Sequence, residues 1–146
     1  MAAGVIDEEH PADAVLKQAR IEGEAHRAVL AEEMPTSCVV GGRLGSKAKN
    51  PRELARSLRE RSELLGVPSR RGYLYPSWQI DTSRQRIHPE VVEVNQLLDA
   101  AGDPWGVASW WISEDGGLQA RPMDLVGTPD GERVVAAARA LVDDAG

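Results

Sequence analysis

Apolar residues in this chain recur mostly at helical spacing, and the recurrences break at proline, glycine and short polar turns. Val15, Leu16, Ala19, Val29 and Leu30 give a broken stripe that predicts a helix from Pro11 to about Glu33, ended by Met34–Pro35. A stripe so discontinuous does not hold a helix in water, so this one needs a partner, either another subunit or the body of the protein. Thr36 or Ser37 then caps a short helix through Leu44, with Gly45 to end it, and SKAKN is a polar turn. Asn50 caps a second helix with Pro51 at its first position, running to about Glu63. Leu54, Leu58 and the pair Leu64–Leu65 form its inward stripe, and Arg52, Arg56, Arg59 and Arg61 lie mostly on the other faces. Two short helices across a tight turn, the second rich in arginine, fit a helix-turn-helix; they also fit a solvated amphipathic helix in a small bundle.

The period changes after Leu64. VPSRRGYLYPSWQID alternates apolar and polar positions around a Ser-Arg-Arg-Gly turn, which predicts a hairpin pairing Leu64 to Val67 with Tyr73 to Tyr75. Behind a helix-turn-helix such a hairpin is a wing, and Arg70 and Arg71 sit at its tip. Tyr73, Tyr75 and Trp78 fall on the seam with the next stretch and are read as packing residues. Helical spacing then resumes. Pro89 opens a helix through about Ala101, and Asp103 caps another with Pro104 at its first position. At about 100° per residue, Trp105, Trp110 and Trp111 cannot all face one side, so at least one indole lies away from the local core or in an interface. RPMDLVG is a helical turn ended by Gly127, and Thr128–Pro129 start a last helix with Val134, Val135, Ala138, Leu141 and Val142 inward. The prediction is a mainly α chain with one short β-hairpin. It divides into an N-terminal helix (1–35), a helix-turn-helix or winged-helix-like module (36–81) and a C-terminal helical domain (82–146).

Composition sharpens the weight of the tryptophans. Only 42% of the 146 residues are hydrophobic, phenylalanine is absent, and three of the four tryptophans fall between Trp105 and Trp111. Alanine and valine bury little area each, so every indole counts heavily in stability. The single cysteine, Cys38, excludes an intrachain disulfide and a multi-cysteine metal site; between Ser37 and Val39–Val40 it is expected to be buried and inert. The chain has neither a membrane-length apolar run nor a signal-peptide core, so a soluble, cytoplasmic protein is expected.

The net charge of −6 hides a division. Residues 1–42 hold three Lys/Arg against eight Asp/Glu, a net of −5; residues 43–86 hold eleven against four, a net of +7; residues 87–146 hold three against eleven, a net of −8. The basic middle suits phosphate or an acidic partner, and the acidic flanks avoid nucleic acid. An enzyme is not indicated. No nucleophile–base pair, HExxH spacing or true phosphate loop is present; GGRLGSKAKN lacks the Gly-Lys-Ser/Thr ending. Asp143–Asp144, at the end of the last helix, read as solvent-facing or as contacts to a partner.

DPWGVASWWISEDGGLQARPMDLVGTPDGERVVAAARAL, from Asp103, resembles the toxin-binding domain of the Xre/MbcA/ParS-type antitoxins, which partner RES-domain toxins. The resemblance is carried by Trp105 and Trp110–Trp111, by Leu118, by Arg121, Pro122, Asp124, Leu125 and Val126, and by the final amphipathic helix. LYPSWQID, from Leu74, resembles the joint before that domain in a subgroup of the family. The likeness covers about residues 36 to 146 and is strongest after Tyr73. The chain departs from the family where Glu114–Asp115 replace a Pro-Asn pair and Gln119–Ala120 follow the leucine in place of a glycine.

The resemblance implies the antitoxin of a type II toxin–antitoxin system. It would inhibit an NAD-consuming RES-domain toxin, do no chemistry itself, need no cofactor or metal, and act as a homodimer or a hetero-oligomer with the toxin. The expected toxin-binding residues are Trp110 or Trp111 (whichever faces outward), Arg121, Pro122, Asp124, Leu125, Val126, Asp143 and Asp144, with Asp124 also able to brace its turn. Arg52, Arg56, Arg59, Arg70 and Arg71 are the expected contacts to operator DNA. The competing reading is a stand-alone helix-turn-helix transcription regulator.

Overall fold

The computed structural model describes residues 23, 24 and 26–145; the greater part of the expected N-terminal helix lies outside the described residues. What is described of it, helical over 26–30, finds its partner in the body of the protein, because Val29 is buried in the common core.

Helix α1, Ser37–Arg43, starts at Thr36, whose carbonyl accepts from the Val40 amide at 3.0 Å although its side chain makes no cap. Gly45 takes a φ of 81° just past its end, a left-handed geometry that glycine adopts without strain. Helix α2, Arg52–Glu60, starts from Pro51, one residue later than expected and without a side-chain cap at that position; Asn50 Oδ1 just ahead of it accepts from the Arg52 amide at 3.3 Å. The two helices pack closely at Gly41, where an added Cβ would run into the backbone carbonyl of Pro51. Gly41→Ala is therefore expected to lower stability by about 1–3 kcal/mol, the usual cost of overpacking. An unchanged urea midpoint would show that the two helices yield freely.

Helix α2 ends three residues earlier than the apolar spacing suggests. Ser62 turns left-handed (φ 57°) and drops Leu64 and Leu65 into the core. The hairpin is shifted accordingly: β1, Val67–Ser69, pairs antiparallel with β2, Gly72–Leu74, in the register Val67↔Leu74. Leu65 stays out of the ladder because its amide and carbonyl are taken by the Gln79 side chain at 2.8 and 2.9 Å. Residues 33–36 run along the other edge of β2. There Thr36 bridges Leu74, Pro35 accepts from the Tyr75 amide at 2.9 Å, and Glu33 accepts from the Ser77 amide at 3.0 Å.

A second hairpin, unexpected from the sequence, joins β3, Ile80–Asp81, to β4, Arg86–Ile87. Its two-residue strands are too short to carry an alternation that could be read. Helix α3, Pro89–Leu97, also stops short of Ala101; Asp99 is left-handed, and Ser62 Oγ accepts the Ala101 amide at 2.9 Å. Helix α4, Pro104–Ile112, is capped as expected by Asp103, which accepts from the Gly106 amide at 3.2 Å. A 3₁₀ turn over Pro122–Leu125 closes at Gly127 (φ 74°), and α5, Gly131–Ala145, packs on α3. The chain is mainly α.

Val134 and Ala138 face inward, but Leu141 and Val142 are 47% and 37% exposed, contrary to the expected stripe. The cause is length: α5 has 15 residues against nine in α3, so its last turns extend past their partner.

The core crosses the expected boundary at residue 81. Helix α4 touches β1, and a buried polar chain joins the two halves. Trp111 Nε1 donates to Asn95 Oδ1 at 3.0 Å, and Asn95 Nδ2 donates to Gln79 Oε1 at 3.1 Å. Gln79 Nε2 in turn donates to the Leu65 and Pro76 carbonyls. Gln79 and Asn95 are both fully buried, and with their polar atoms partnered they fix one orientation of the halves.

Candidate binding grooves

The basic residues predicted from α2 and the wing do meet. Arg52, Arg56 and Arg59 from α2 and Arg71 from the hairpin tip line one groove of about 510 Å³ with Ser37, Cys38, Tyr73 and Tyr75. Helical spacing brings positions 52, 56 and 59 to one side of α2, and the tight turn carries Arg71 across to face them. Arg70 is exposed at the tip but does not line the groove.

Three of the four guanidiniums are held differently. Arg56 pairs with Glu60 at 2.9 Å one turn along, while Arg52 makes no ion pair among the described residues. Arg59 is half-buried; its guanidinium lies 3.6 Å over the Tyr73 ring, and its Nε donates to the Tyr75 hydroxyl at 3.4 Å. Among the described residues Glu53 is the only carboxylate lining the groove, against four arginines, so the site carries net positive charge.

Cys38 corrects an expectation: it is exposed and lines this groove. The buried side of α1 is set by Val40 and Gly41, and a residue two positions earlier lies about 200° away around the helix.

The tryptophan pair divides. Trp111 is fully buried, packed at a ring-centroid distance of 4.7 Å from Trp78, so it is not a surface contact. Trp110 is half-buried, meets Trp111 edge-on at 5.2 Å, and walls a second groove of about 520 Å³. The floor of that groove is the small-residue face of α5, Ala136, Ala137 and Ala140, and Leu141 and Asp144 lie at its far end. Asp115 and Arg133 complete the rim. Asp115 also folds the loop beneath, accepting from the Gly117 and Leu118 amides at 2.9 and 3.0 Å. Trp110 and Asp144, two of the residues expected to bind a toxin, are thus brought to one cavity; Asp143 is exposed beside it.

The turn at Arg121 to Val126 lies elsewhere and is largely occupied from within. Arg121 donates to both Asp124 oxygens at 2.9 and 3.0 Å and to Glu32 at 2.9 Å. These carboxylates, Asp124 first, raise the Arg121 pKa above its ordinary value. Pro122 is buried and supports the turn, so it offers no contact; Leu125 and Val126 are half-buried. Asp124 therefore braces the turn. The Arg121–Glu32 bridge, with His26 stacked at 3.8 Å on Trp105, fastens the N-terminal segment to the C-terminal half.

Ser37, Tyr75 and the alanine face of α5 were missed as groove residues. The hydroxyls reach the basic groove only because residues 33–36 pair with β2, a long-range contact with no local signal. The alanines were legible as a helix face but not as a floor. Among the described residues no cluster of metal-ligating side chains occurs, and no helix is long and apolar enough to cross a membrane. No protein-family model, curated protein or solved structure matches this chain.

Proposed function

We propose that this protein is an antitoxin that binds and inhibits a RES-domain, NAD-consuming toxin through its C-terminal half and binds operator DNA through its basic groove. The observation that carries the toxin half is the convergence of Trp110, Leu141 and Asp144 on one groove, in the stretch whose sequence resembles a toxin-binding domain. A half-exposed indole beside an exposed leucine, rimmed by acid, has the make-up of an interface anchor with a charged edge. The protein itself does no chemistry in this reading, and its partners are the toxin and the operator.

The basic groove supports DNA contact independently, because arginines from a helix and a hairpin tip converge on it. Replacing Arg52, Arg56, Arg59, Arg70 and Arg71 by alanine is expected to weaken operator binding by at least about a hundredfold at low salt, since each phosphate contact releases counterions. The parent's affinity should fall steeply with salt. Operator affinity unchanged in the quintuple variant would assign the basic segment another purpose.

That groove favours a second reading, a transcription regulator that acts without a toxin. Co-purification of the tagged chain with the product of its adjacent gene separates the two. A RES-domain partner retained through high-salt washing supports the antitoxin, and recovery of the chain alone supports the regulator.

A further inference from the structure

Three arginines among the described residues are half-buried: Arg43, Arg59 and Arg121. Arg43 holds Glu33 at 2.8 Å and Arg121 holds Glu32 at 2.9 Å, but Arg59 makes no ion pair among the described residues. A partly desolvated guanidinium without an anion is an incomplete arrangement, since removing a cation from water is unfavourable unless a counter-charge replaces the lost hydration.

The surroundings of Arg59 orient it. The Tyr73 ring lies under its plane and Tyr75 accepts from its Nε, which leaves the four terminal N–H groups for a ligand. Gly66 makes this possible, because a Cβ there would press on both the Tyr75 ring and the Arg59 stem.

A neutral donor stands beside it. The Ser37 and Tyr75 hydroxyls share one hydrogen bond of 3.2 Å. One bond between two hydroxyls uses one hydrogen and leaves the other without an acceptor among the described residues, and both groups line the groove. Tyr75 is fully buried, so a groove ligand meets the hydroxyl pair at Ser37, which is half-buried in the groove wall. With Arg52 and Arg71 at the mouth, the donors outnumber the acceptors, which suits a ligand rich in acceptor oxygens and carrying negative charge.

We propose that the cradle of Arg59, Tyr75 and Ser37 is a binding site for one phosphate-ester group, gripped by the Arg59 fork and a hydroxyl hydrogen. The proposal rests on the phosphate-binding half of the reading above and adds a discrete seat for one phosphate. That phosphate comes either from a nucleic-acid backbone or from a free mononucleotide.

The test uses the full chain and three variants: Arg59→Gln, Tyr75→Phe, and the triple change of Arg52, Arg70 and Arg71 to alanine. Each is titrated calorimetrically with a short DNA duplex and with adenosine 5′-monophosphate. Arg59→Gln should weaken the probe that binds by about 10- to 100-fold, and Tyr75→Phe by about 3- to 10-fold, the range for hydrogen bonds to charged groups. Weakening on the duplex alone assigns the phosphate to a nucleic-acid backbone; weakening on the mononucleotide assigns it to a free phosphate ester.

Duplex affinity lost in the triple variant but unchanged in Arg59→Gln and Tyr75→Phe would overturn the cradle while leaving DNA binding standing. Mononucleotide binding lost in Arg59→Gln, with no duplex binding, would keep the cradle and overturn DNA binding. Absence of binding by either probe overturns both. If a variant fails to fold, alkylation of Cys38 in the unmodified chain tests whether the probe occupies the groove at all. The binding probe, at saturation, should slow it at least about tenfold, because Cys38 lines the groove, and unslowed alkylation would overturn the proposal.

Discussion

Replacing Trp111 by alanine is expected to leave the chain largely unfolded at ambient temperature, the largest effect of any single substitution considered. The indole is fully buried, packs against Trp78 and Trp110, and donates the hydrogen bond that starts the Asn95–Gln79 chain. Truncating a core tryptophan costs roughly 3–5 kcal/mol. Asn95 Oδ1 would also lose its donor, adding about 1–3 kcal/mol of unsatisfied desolvation. Against a total stability of roughly 5–15 kcal/mol for a domain of this size, that sum is most of what exists. Trp111→Phe keeps much of the packing and loses the N–H, so it should cost about 1–3 kcal/mol and leave a cooperative melt. Urea unfolding followed by circular dichroism decides the matter. A midpoint for Trp111→Ala close to the parent's would mean that the core does not depend on this indole, and that the polar chain behind it is ornamental.

The same substitution tests whether the two halves are one cooperative unit. Gln79 clamps Leu65 at the root of the first hairpin, and Asn95 joins that clamp to α3 and α4. Loss of Trp111 should therefore melt the basic half along with the C-terminal half, in a single transition. Two separated transitions would instead support independent modules.

Local chemistry accounts for what the sequence disclosed of this fold. Asp103 as a cap, Gly45 and Gly127 past helix ends, and the Ser-Arg-Arg-Gly turn each act within a few residues, and all are found where expected. Long-range pairing accounts for what it hid. Leu64 and Leu65 continue the helical stripe of α2 perfectly well. The left-handed turn at Ser62 ends the helix ahead of them, and the distant Gln79 side chain, by taking the Leu65 backbone, holds them as a core-seeking loop. Cys38 looked buried from its apolar neighbours, but rotation about α1 turns it outward. Of the binding residues, charge revealed the arginines. Their convergence depends on residues 33–36 lying beside β2, and on this the sequence is silent. The divergence of Trp110 from Trp111 was fixed by helical geometry, but which of them faces the core was decided by Asn95.

Trp110 and Leu141 lead to the second large effect, on neutralisation. Changing Leu141 to arginine together with Trp110 to alanine is expected to weaken toxin inhibition by about 30- to 1000-fold, the range spanned by interface anchors worth roughly 2–4 kcal/mol. Leu141 is 47% exposed and Trp110 half-buried, and both face the one groove, so their removal empties its walls while the core indole Trp111 stays in place. The acidic tail should act differently. A toxin that holds the pyrophosphate of NAD needs a basic cleft, and the net charge of −8 over residues 87–146 would draw the two together. Truncation after Leu141 removes Asp143 and Asp144 but leaves the groove residues up to Leu141. It should slow association by about tenfold at low salt, with the difference closing as salt rises, and should barely change the melt. Toxin NAD consumption titrated with each variant, at two ionic strengths and beside thermal melts, separates the two contributions. Full inhibition by the Trp110/Leu141 variant would remove the groove as the docking surface and leave the exposed edge of the Leu125–Val126 turn to account for neutralisation. Full inhibition by the truncated chain at low salt would instead show that the tail neither plugs nor steers, and that apolar contact alone sets the lifetime of the complex.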